Sequence, residues 1–398
     1  MTTQVAVANL DGIAVASDTL VSFGQKSIDG AHKIYELGRG HNVLLLHSGR
    51  SDISGTSQYL HIVEWAKTIP EPLPKLEDYV NSYLKWSASP NPLVTDQGQK
   101  QAIISLLHNH YFWMRDTPMI RRIREKENEG VDFDGPEMLE VTSAVVAEGR
   151  EHLEGLKDYD GTSLSDATGW FGRFEIDVDQ MVEAIFEGYP LSDESKDDLK
   201  RQSSLMLSKN QYLDADSEVA FVGYGAEEPY PGVVRMRHRG VFDGHVQATV
   251  QPNISVGDKR GNSTVHYFAQ SNAMRMMVQG YHDAILRHLR DSMGDTLSER
   301  IPDSDRDSIM EILDAAFEKT EQFSREEFIS PYLNTVEAMG VEKLADLADQ
   351  FISLQMMSTH GDNERPTVGG FIEVAMIDRE HGVRWVRKLS ERVSIASR

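Results

Sequence analysis

The chain has 398 residues, enough for one large domain or two ordinary ones, and its 40% hydrophobic and 26% charged residues are the balance of a globular protein. A net charge of −23, from 40 basic and 63 acidic residues, argues against a nucleic-acid footprint or an anionic membrane surface as partner. Cysteine is absent, which excludes disulfides, thiolate nucleophiles and cysteine zinc sites, and neither an apolar run of roughly 18 residues nor a basic-then-apolar leader is visible; a cytoplasmic protein is expected.

Two short apolar runs open the chain, Val5 to Ala8 and Ile13 to Ala16. Asp11-Gly12 between them predicts a hairpin, because both residues tolerate positive φ. Further strands are predicted at Lys33 to Leu37 and Val43 to Leu46. After Gly49 the spacing turns helical: one helix from about 53 to Pro70, closed by Pro70, Pro72 and Pro74, and another over 76–87 with Leu76, Val80, Tyr83 and Leu84 on one face. Residues 97–127 and most of 178–210 read as helix, with 130–155 between them less clear.

Strand signals return at Glu218. SEVAFVGYG, GVVRMRHRG, HVQATVQPN and STVHYFAQ are separated by Gly- or Pro-rich turns. A helical segment then lies within 268–289, with Met274, Met277, Val278, Tyr281, Ile285 and Leu289 at helical intervals. A charged helical stretch follows over 303–330 and an amphipathic helix over 341–357. TVGGFIEVAMIDREHGVRWVRKL closes the chain as a hairpin.

Most short motifs carry no chemistry. His108 and His110 lie two apart and point to different faces of a helix, so they do not chelate a metal together. Asp132-x-Asp134-Gly135 and Asp158-x-Asp160-Gly161 start like calcium loops but lack the remaining ligands, and read as acidic loops. Gly223-x-Gly225 lacks the third glycine of a dinucleotide fingerprint. The methionines at 274, 276 and 277 read as core packing. No GxSxG or HExxH motif is present. No metal and no cofactor are expected.

The start of the chain, MTTQVAVANLDGIAVASDTL through Lys33 to His47-Ser48-Gly49, resembles that of proteasome β-subunits and HslV-type bacterial peptidases, which are N-terminal nucleophile (Ntn) hydrolases; the chain looks like a bacterial-type, proteasome-related member with insertions. In that family a mature N-terminal threonine begins the first strand, an aspartate ends the second and a lysine begins the third. The resemblance assigns those roles to Thr2, Asp18 and Lys33, the last with a one-residue gap in the approach. It covers roughly 1–88, 217–290 and 340–390. It implies an α+β fold, a four-layer αββα Ntn sandwich, divided as 1–88 and 217–398 for the core, 89–216 for a large mostly helical insertion, and a smaller helical insertion near 291–335.

The implied chemistry needs these residue types. A threonine hydroxyl is a poor nucleophile until a base takes its proton. A free α-amine on the same residue titrates near neutrality and can serve, once Met1 is removed. A buried lysine beside the hydroxyl favours its ionised form, and a carboxylate holds that lysine in place. The resemblance puts the oxyanion-binding amide at Gly49 and a supporting serine at Ser271, which also reads as an ordinary helix N-cap. One departure stands out. Family members carry Asp-Ser-x-Ser before a Gly-Gly pair, whereas Arg365-Pro366-Thr367-Val368 precede Gly369-Gly370 here; Asp362 or Thr367 are the candidates to replace it.

The expected function is therefore a threonine-type peptidase acting on peptides or unfolded protein through Thr2, as a homo-oligomeric ring or related assembly; family members often work with an ATPase unfoldase. The rival readings are a small-amide Ntn amidohydrolase and a catalytically silent scaffold.

Overall fold

The computed structural model describes all residues except 1, 24–25, 39, 129–134, 212, 214–215, 259–260, 301–302, 361–366 and 390–398. It is a mixed α+β structure with antiparallel sheets. In chain order, β1 (Thr3–Asn9) and β2 (Gly12–Asp18) form the first hairpin, β3 (Leu20–Phe23) and β4 (Lys26–Asp29) a small second one, then come β5 (Ile34–Glu36) and β6 (Val43–Gly49). β7 (Asp52–Ile53) and β8 (Thr56–Ser57) make a tight turn before α1 (Gln58–Ala66) and α2 (Leu76–Ala88).

A helical stretch follows: α3 (Asp96–Met114), a π-helical turn over Arg115–Met119, α4 (Ile120–Asn128), α5 (Gly135–Glu154), α6 (Leu164–Arg173), α7 (Val178–Ile185) and α8 (Asp193–Ser208). Strands resume with β9 (Ser217–Gly223), β10 (Gly232–Phe242), β11 (His245–Val250), β12 (Ile254–Ser255) and β13 (Ser263–Ala269). The chain then runs through α9 (Asn272–Gln279), α10 (Asp283–Arg300), α11 (Asp303–Ser324), a second π-helical turn over Arg325–Ile329, α12 (Ser330–Glu337), α13 (Val341–His360), β14 (Ile372–Asp378) and β15 (Gly382–Arg387).

One sheet has the order β13-β1-β2-β14-β15; the other runs β11-β10-β9-β6-β5, with β12 paired to β10. β1 and β2 are buried along their whole length rather than at alternate positions. Their side chains divide by parity. Ala6, Ala8, Ile13 and Val15 share a core with Leu44, Leu46, Ala220 and Val222 of the other sheet. Val5, Val7, Ala14 and Ala16 pack instead with Leu344, Ala348 and Phe351 of α13 and Met274 of α9. The second sheet divides in the same way, with Val43, Leu45, Val219 and Phe221 against Trp65 of α1 and Tyr79 and Tyr83 of α2. A separate core joins α3, α5, α6, α7 and α8 around Tyr111, Trp170 and Phe186, and touches the sheets through Phe242 of β10.

Several expectations shift. The first hairpin forms, but neither Asp11 nor Gly12 has positive φ. The loop is held by Asn9, whose Oδ1 accepts from the Asp11 and Gly12 amides. Gly12 serves close approach: a Cβ there would lie 2.6 Å from the Ile377 carbonyl oxygen. The helix expected from 53 begins only at Gln58, because Ser54 (φ 46°) and Gly55 (φ 83°) turn the chain between β7 and β8. The Ser54 hydroxyl fixes that turn by bonding both the N–H and the C=O of Val241. The helix expected over 97–127 widens into a π-turn containing Pro118, which has no N–H to continue the ladder. The helix expected within 268–289 breaks at Gly280, left-handed at φ 81°.

Candidate active site at the end of the paired sheets

Antiparallel pairing gathers the candidate residues at one end of the fold. Thr2 precedes β1 and Asp18 ends β2, so the hairpin brings them side by side. Lys33 precedes β5 and Gly49 ends β6, which does the same in the second sheet. The two ends meet through an ion pair, Lys33 Nζ to Asp18 Oδ1 at 2.7 Å. Neither side chain is more than 5% exposed.

Every oxygen of the carboxylate is used. Oδ1 accepts from Lys33 Nζ and from the Thr3 amide at 3.0 Å, and Oδ2 accepts from the Gly369 amide at 3.1 Å. Lys33 Nζ also donates to the Leu20 carbonyl at 2.7 Å. Burial lowers the Lys33 pKa from the ordinary lysine value, opposed mainly by the charge of Asp18. The same burial raises that of Asp18 against the pull of Lys33 and the two amides. The pair thus holds a lysine that releases a proton more readily than one in water.

Thr2 itself is 8% exposed. Its carbonyl accepts from the Gln270 amide at 3.0 Å, and the Thr3 hydroxyl donates to the Gln270 carbonyl at 2.7 Å, so β1 is pinned to the chain just before α9. Ser271 follows, 5% exposed; its side chain makes no capping bond to α9 and accepts from Arg275 Nε at 3.1 Å. Thr367 donates to Gln270 Oε1 at 3.0 Å, one residue-pair away from Thr2. Met1, Asp362, Arg365 and Pro366 lie outside the described residues, as do the acidic positions Asp132 and Asp134.

The direction of the Gly49 amide follows from ladder alternation. Tyr224 N–H donates to Asn42, so the even residues of β6 bond toward β9. His47 N–H donates instead to the Lys33 carbonyl, so the odd residues face β5. Gly49 is the next odd residue, and β5 pairing has already ended. Its N–H is therefore directed past the end of β5, on the Lys33 side. The residue must be glycine: φ is 83°, and a Cβ would come within 2.3 Å of the Asp216 carbonyl oxygen. Asp216 is itself anchored by the buried Arg239, whose Nε donates to Asp216 Oδ1 at 3.2 Å.

Gln4 is a contributor that the sequence reading passed over. Its side-chain amide donates to the carbonyls of Lys33 (3.2 Å) and His47 (3.1 Å), tying the first strand of one sheet to β5 and β6 of the other. A lone glutamine in an otherwise apolar run, TQVAVAN, is the signal that was available. The Gly369 amide had no such signal, since its bond to Asp18 spans the sequence from 18 to 369. His47, behind Gly49, donates from Nε2 to the Arg50 carbonyl at 2.7 Å, and burial pushes its pKa down to about 4. Among the described residues no group of three or more His, Asp or Glu side chains is placed to hold a metal ion, and no helix is long and apolar enough to cross a membrane.

No family model and no curated protein matches the sequence. Solved structures similar to the chain include a mutant (Gly-1) of Anbu from Hyphomicrobium sp. strain MC1, at 12% identity and TM-score 0.29, covering all of this chain and 95% of that one. Anbu from the same strain aligns at 11% identity and TM-score 0.29, over 99% of this chain and 94% of that one. Anbu from Yersinia bercovieri, described as an ancestral β-subunit, aligns at 10% identity and TM-score 0.27, over 100% and 97%. The family named from the sequence is thereby corrected: these structures are Anbu proteins, a family distinct from proteasome β-subunits and HslV. The residues behind that resemblance, a threonine, an aspartate and a lysine at strand ends, describe a local arrangement and cannot separate one family from another.

Proposed function

We propose that the chain is an N-terminal threonine hydrolase that cleaves amide bonds in peptides. The observation that carries this reading is the buried Lys33–Asp18 pair, whose carboxylate oxygen also takes the amide of Thr3. A buried ion pair costs stability relative to apolar packing unless its geometry is excellent. One whose carboxylate also holds the Thr3 amide, adjacent to Thr2, is explained by chemistry at Thr2.

In this reading Met1 is removed and Thr2 presents a free α-amine. The Thr2 hydroxyl attacks the substrate carbonyl while its proton passes to that amine, and the ammonium of Lys33 stabilises the developing alkoxide. Asp18 keeps Lys33 in place and the Gly49 N–H receives the oxyanion. Collapse of the tetrahedral intermediate breaks the C–N bond, the departing amine takes the proton, and an ester on Thr2 remains. Water, deprotonated by the same α-amine, hydrolyses it. Ser271 and Thr367 steady the Gln270 segment against which the N-terminus lies. The two cores that flank the paired sheets support the αββα Ntn arrangement, with 89–216 as an insertion.

Intact-mass analysis of the purified protein, with and without a peptide epoxyketone, tests this. That probe reacts with both the hydroxyl and the amine of an N-terminal threonine. Loss of Met1 and one adduct per chain, absent in Thr2→Ala, is the expected result. A retained Met1 with no adduct refutes the reading and leaves the scaffold role. Loss of Met1 without an adduct, but with release of a small amine from simple amides, replaces the peptide substrate with a small one.

A further inference from the structure

The Arg239 side chain is completely buried, and so, within 1%, is the Asp216 carboxylate it faces. In the pairing of β10 with β11, His238 stands opposite Ala248 and Gly240 opposite Gln247, which leaves Arg239 as the extra residue of a β-bulge. A bulge re-aims one side chain out of the strand's alternation, and bulges are frequent beside active sites. Here the guanidinium makes four hydrogen bonds: Nε to Asp216 Oδ1 at 3.2 Å, Nη1 to the carbonyls of Met206 (2.6 Å) and Lys209 (3.4 Å), and Nη2 to that of Gln211 at 2.9 Å. The three carbonyls belong to the last turn of α8 and the chain just after it, so one side chain fastens the end of that helix to β10.

The carboxylate leads toward the Thr2 site. Asp216 comes directly before β9, and its carbonyl oxygen is the atom that a Cβ on Gly49 would meet at 2.3 Å. Ser217 is the ladder partner of Gly49, and its hydroxyl donates to the Arg50 carbonyl at 2.7 Å. Asp216 and Ser217 therefore hold the Gly49 turn on both sides. Asp216 is in turn held by both of its carboxylate oxygens: Arg239 takes Oδ1, the Leu213 amide donates to Oδ2 at 3.3 Å, and Arg237 Nε stands 3.5 Å from Oδ2.

We propose that Arg239 is a positioning residue for the Thr2 site: through Asp216 and Ser217 it sets the direction of the Gly49 N–H that receives the oxyanion. The proposal rests on the hydrolase reading. Arg239 acts through Asp216 and takes no part in bond making. The planar fork counts for more than the charge, since a lysine keeps the charge but cannot reach all four acceptors. The same side chain makes the packing of α8 part of what aims the oxyanion-binding amide.

The full chain is assayed as Arg239→Lys and as Asp216→Asn, the second serving if the first does not fold. Native protein is first titrated with a peptide aldehyde, whose hemiacetal oxygen occupies the oxyanion position; protection of Thr2 from the epoxyketone shows that the hydrolase reading stands. In each variant kcat for a fluorogenic peptide amide is expected to fall about tenfold with KM unchanged, and aldehyde affinity by the same factor, because the lost interaction belongs to the transition state. Periodate cleaves the Cα–Cβ bond of an N-terminal threonine, releasing acetaldehyde as it is reduced to iodate. It needs the amine and the hydroxyl but no oxyanion donor, and should act on native and variant proteins at one rate. The double variant should fall no further than either single one. Native kcat in both variants overturns this proposal and leaves the hydrolase reading intact. A loss of kcat matched by slower periodate cleavage also overturns it, since Thr2 itself has then been displaced. An aldehyde and an epoxyketone that both fail on the native protein refute the hydrolase reading, and this proposal with it.

Discussion

Two buried polar clusters lie on either side of β6, and they have been satisfied in opposite ways. On the Thr2 side Asp18 and Lys33 are charged groups with their hydrogen bonds supplied: two backbone amides, one carbonyl and each other. On the α1 side, His61 and His238 are completely or almost completely buried, and among the described residues neither ring nitrogen of either has a partner. Burial pushes His61 down to about 4 and His238 to about 3, the latter helped by the nearby charges of His47, His61 and Arg50. Burial pushes the members of both clusters toward their neutral forms; in the first, the ion pair and the backbone bonds oppose that push, and around His61 and His238 no hydrogen bond among the described residues does.

The comparison breaks most sharply at Asp18. Asp18→Ala leaves Lys33 buried without its counter-ion and is expected to cost about 3–5 kcal/mol in denaturant unfolding. The double variant Asp18→Leu/Lys33→Met, apolar on both sides, is expected to recover most of that stability while failing to react with the epoxyketone. Recovery of both properties would mean that the pair serves packing alone.

The histidine layer gives the next largest effect, through pH. His47, His61 and His238 are neutral in the fold at pH values where the unfolded chain, titrating near 6.5, already takes up protons. Their contribution to stability is complete above about pH 6.5 and is lost as pH falls toward about 4, by roughly 2–3 kcal/mol for each histidine that stays neutral. Below that the fold protonates as well and the slope flattens. Unfolding measured across pH 4–7 should show this slope, and His238→Leu should reduce it while leaving stability at pH 7 unchanged or slightly higher. A His238→Leu protein with the native slope would place the titration elsewhere.

A smaller effect belongs to the turn that separates the clusters. Gly49→Ala must place a Cβ 2.3 Å from the Asp216 oxygen at positive φ, and is expected to cost about 1–3 kcal/mol. Adduct formation at Thr2 should slow by more than that loss of folded protein explains, because the amide direction changes. The least disruptive change is Thr367→Val, which removes one bond to Gln270. It should cost about 1 kcal/mol, read as a shift in the denaturant midpoint at unchanged slope.

Much of this was legible in the sequence, for physical reasons. The first hairpin could be read because two short apolar runs flank a turn, even though the turn is held by Asn9 and not by positive φ. The second-half strands were marked by glycine and proline between β-branched runs. Thr2, Asp18 and Lys33 were picked out by the resemblance to Ntn hydrolases, since singly a threonine after Met1, an aspartate at a turn and a lysine at a strand end carry no signal. The small hairpins β3–β4 and β7–β8 were missed because two to four residues carry too little periodicity to read. The π-turn at Pro118 was missed because the apolar spacing continues across it.

By itself the sequence determined the strand runs, the helical stretch between them and the residue types able to do chemistry at the chain's start, because those depend on local period and side-chain identity. Tertiary structure alone decided that Gln4 would bind the ends of β5 and β6, that Gly369 would supply an amide to Asp18, and that the Gly49 N–H would be directed past β5. It also decided that His61 and His238 would lie buried without partners. Each of these depends on which backbone groups remain unpaired once the strands have chosen their neighbours, and that choice is made between residues far apart in the chain.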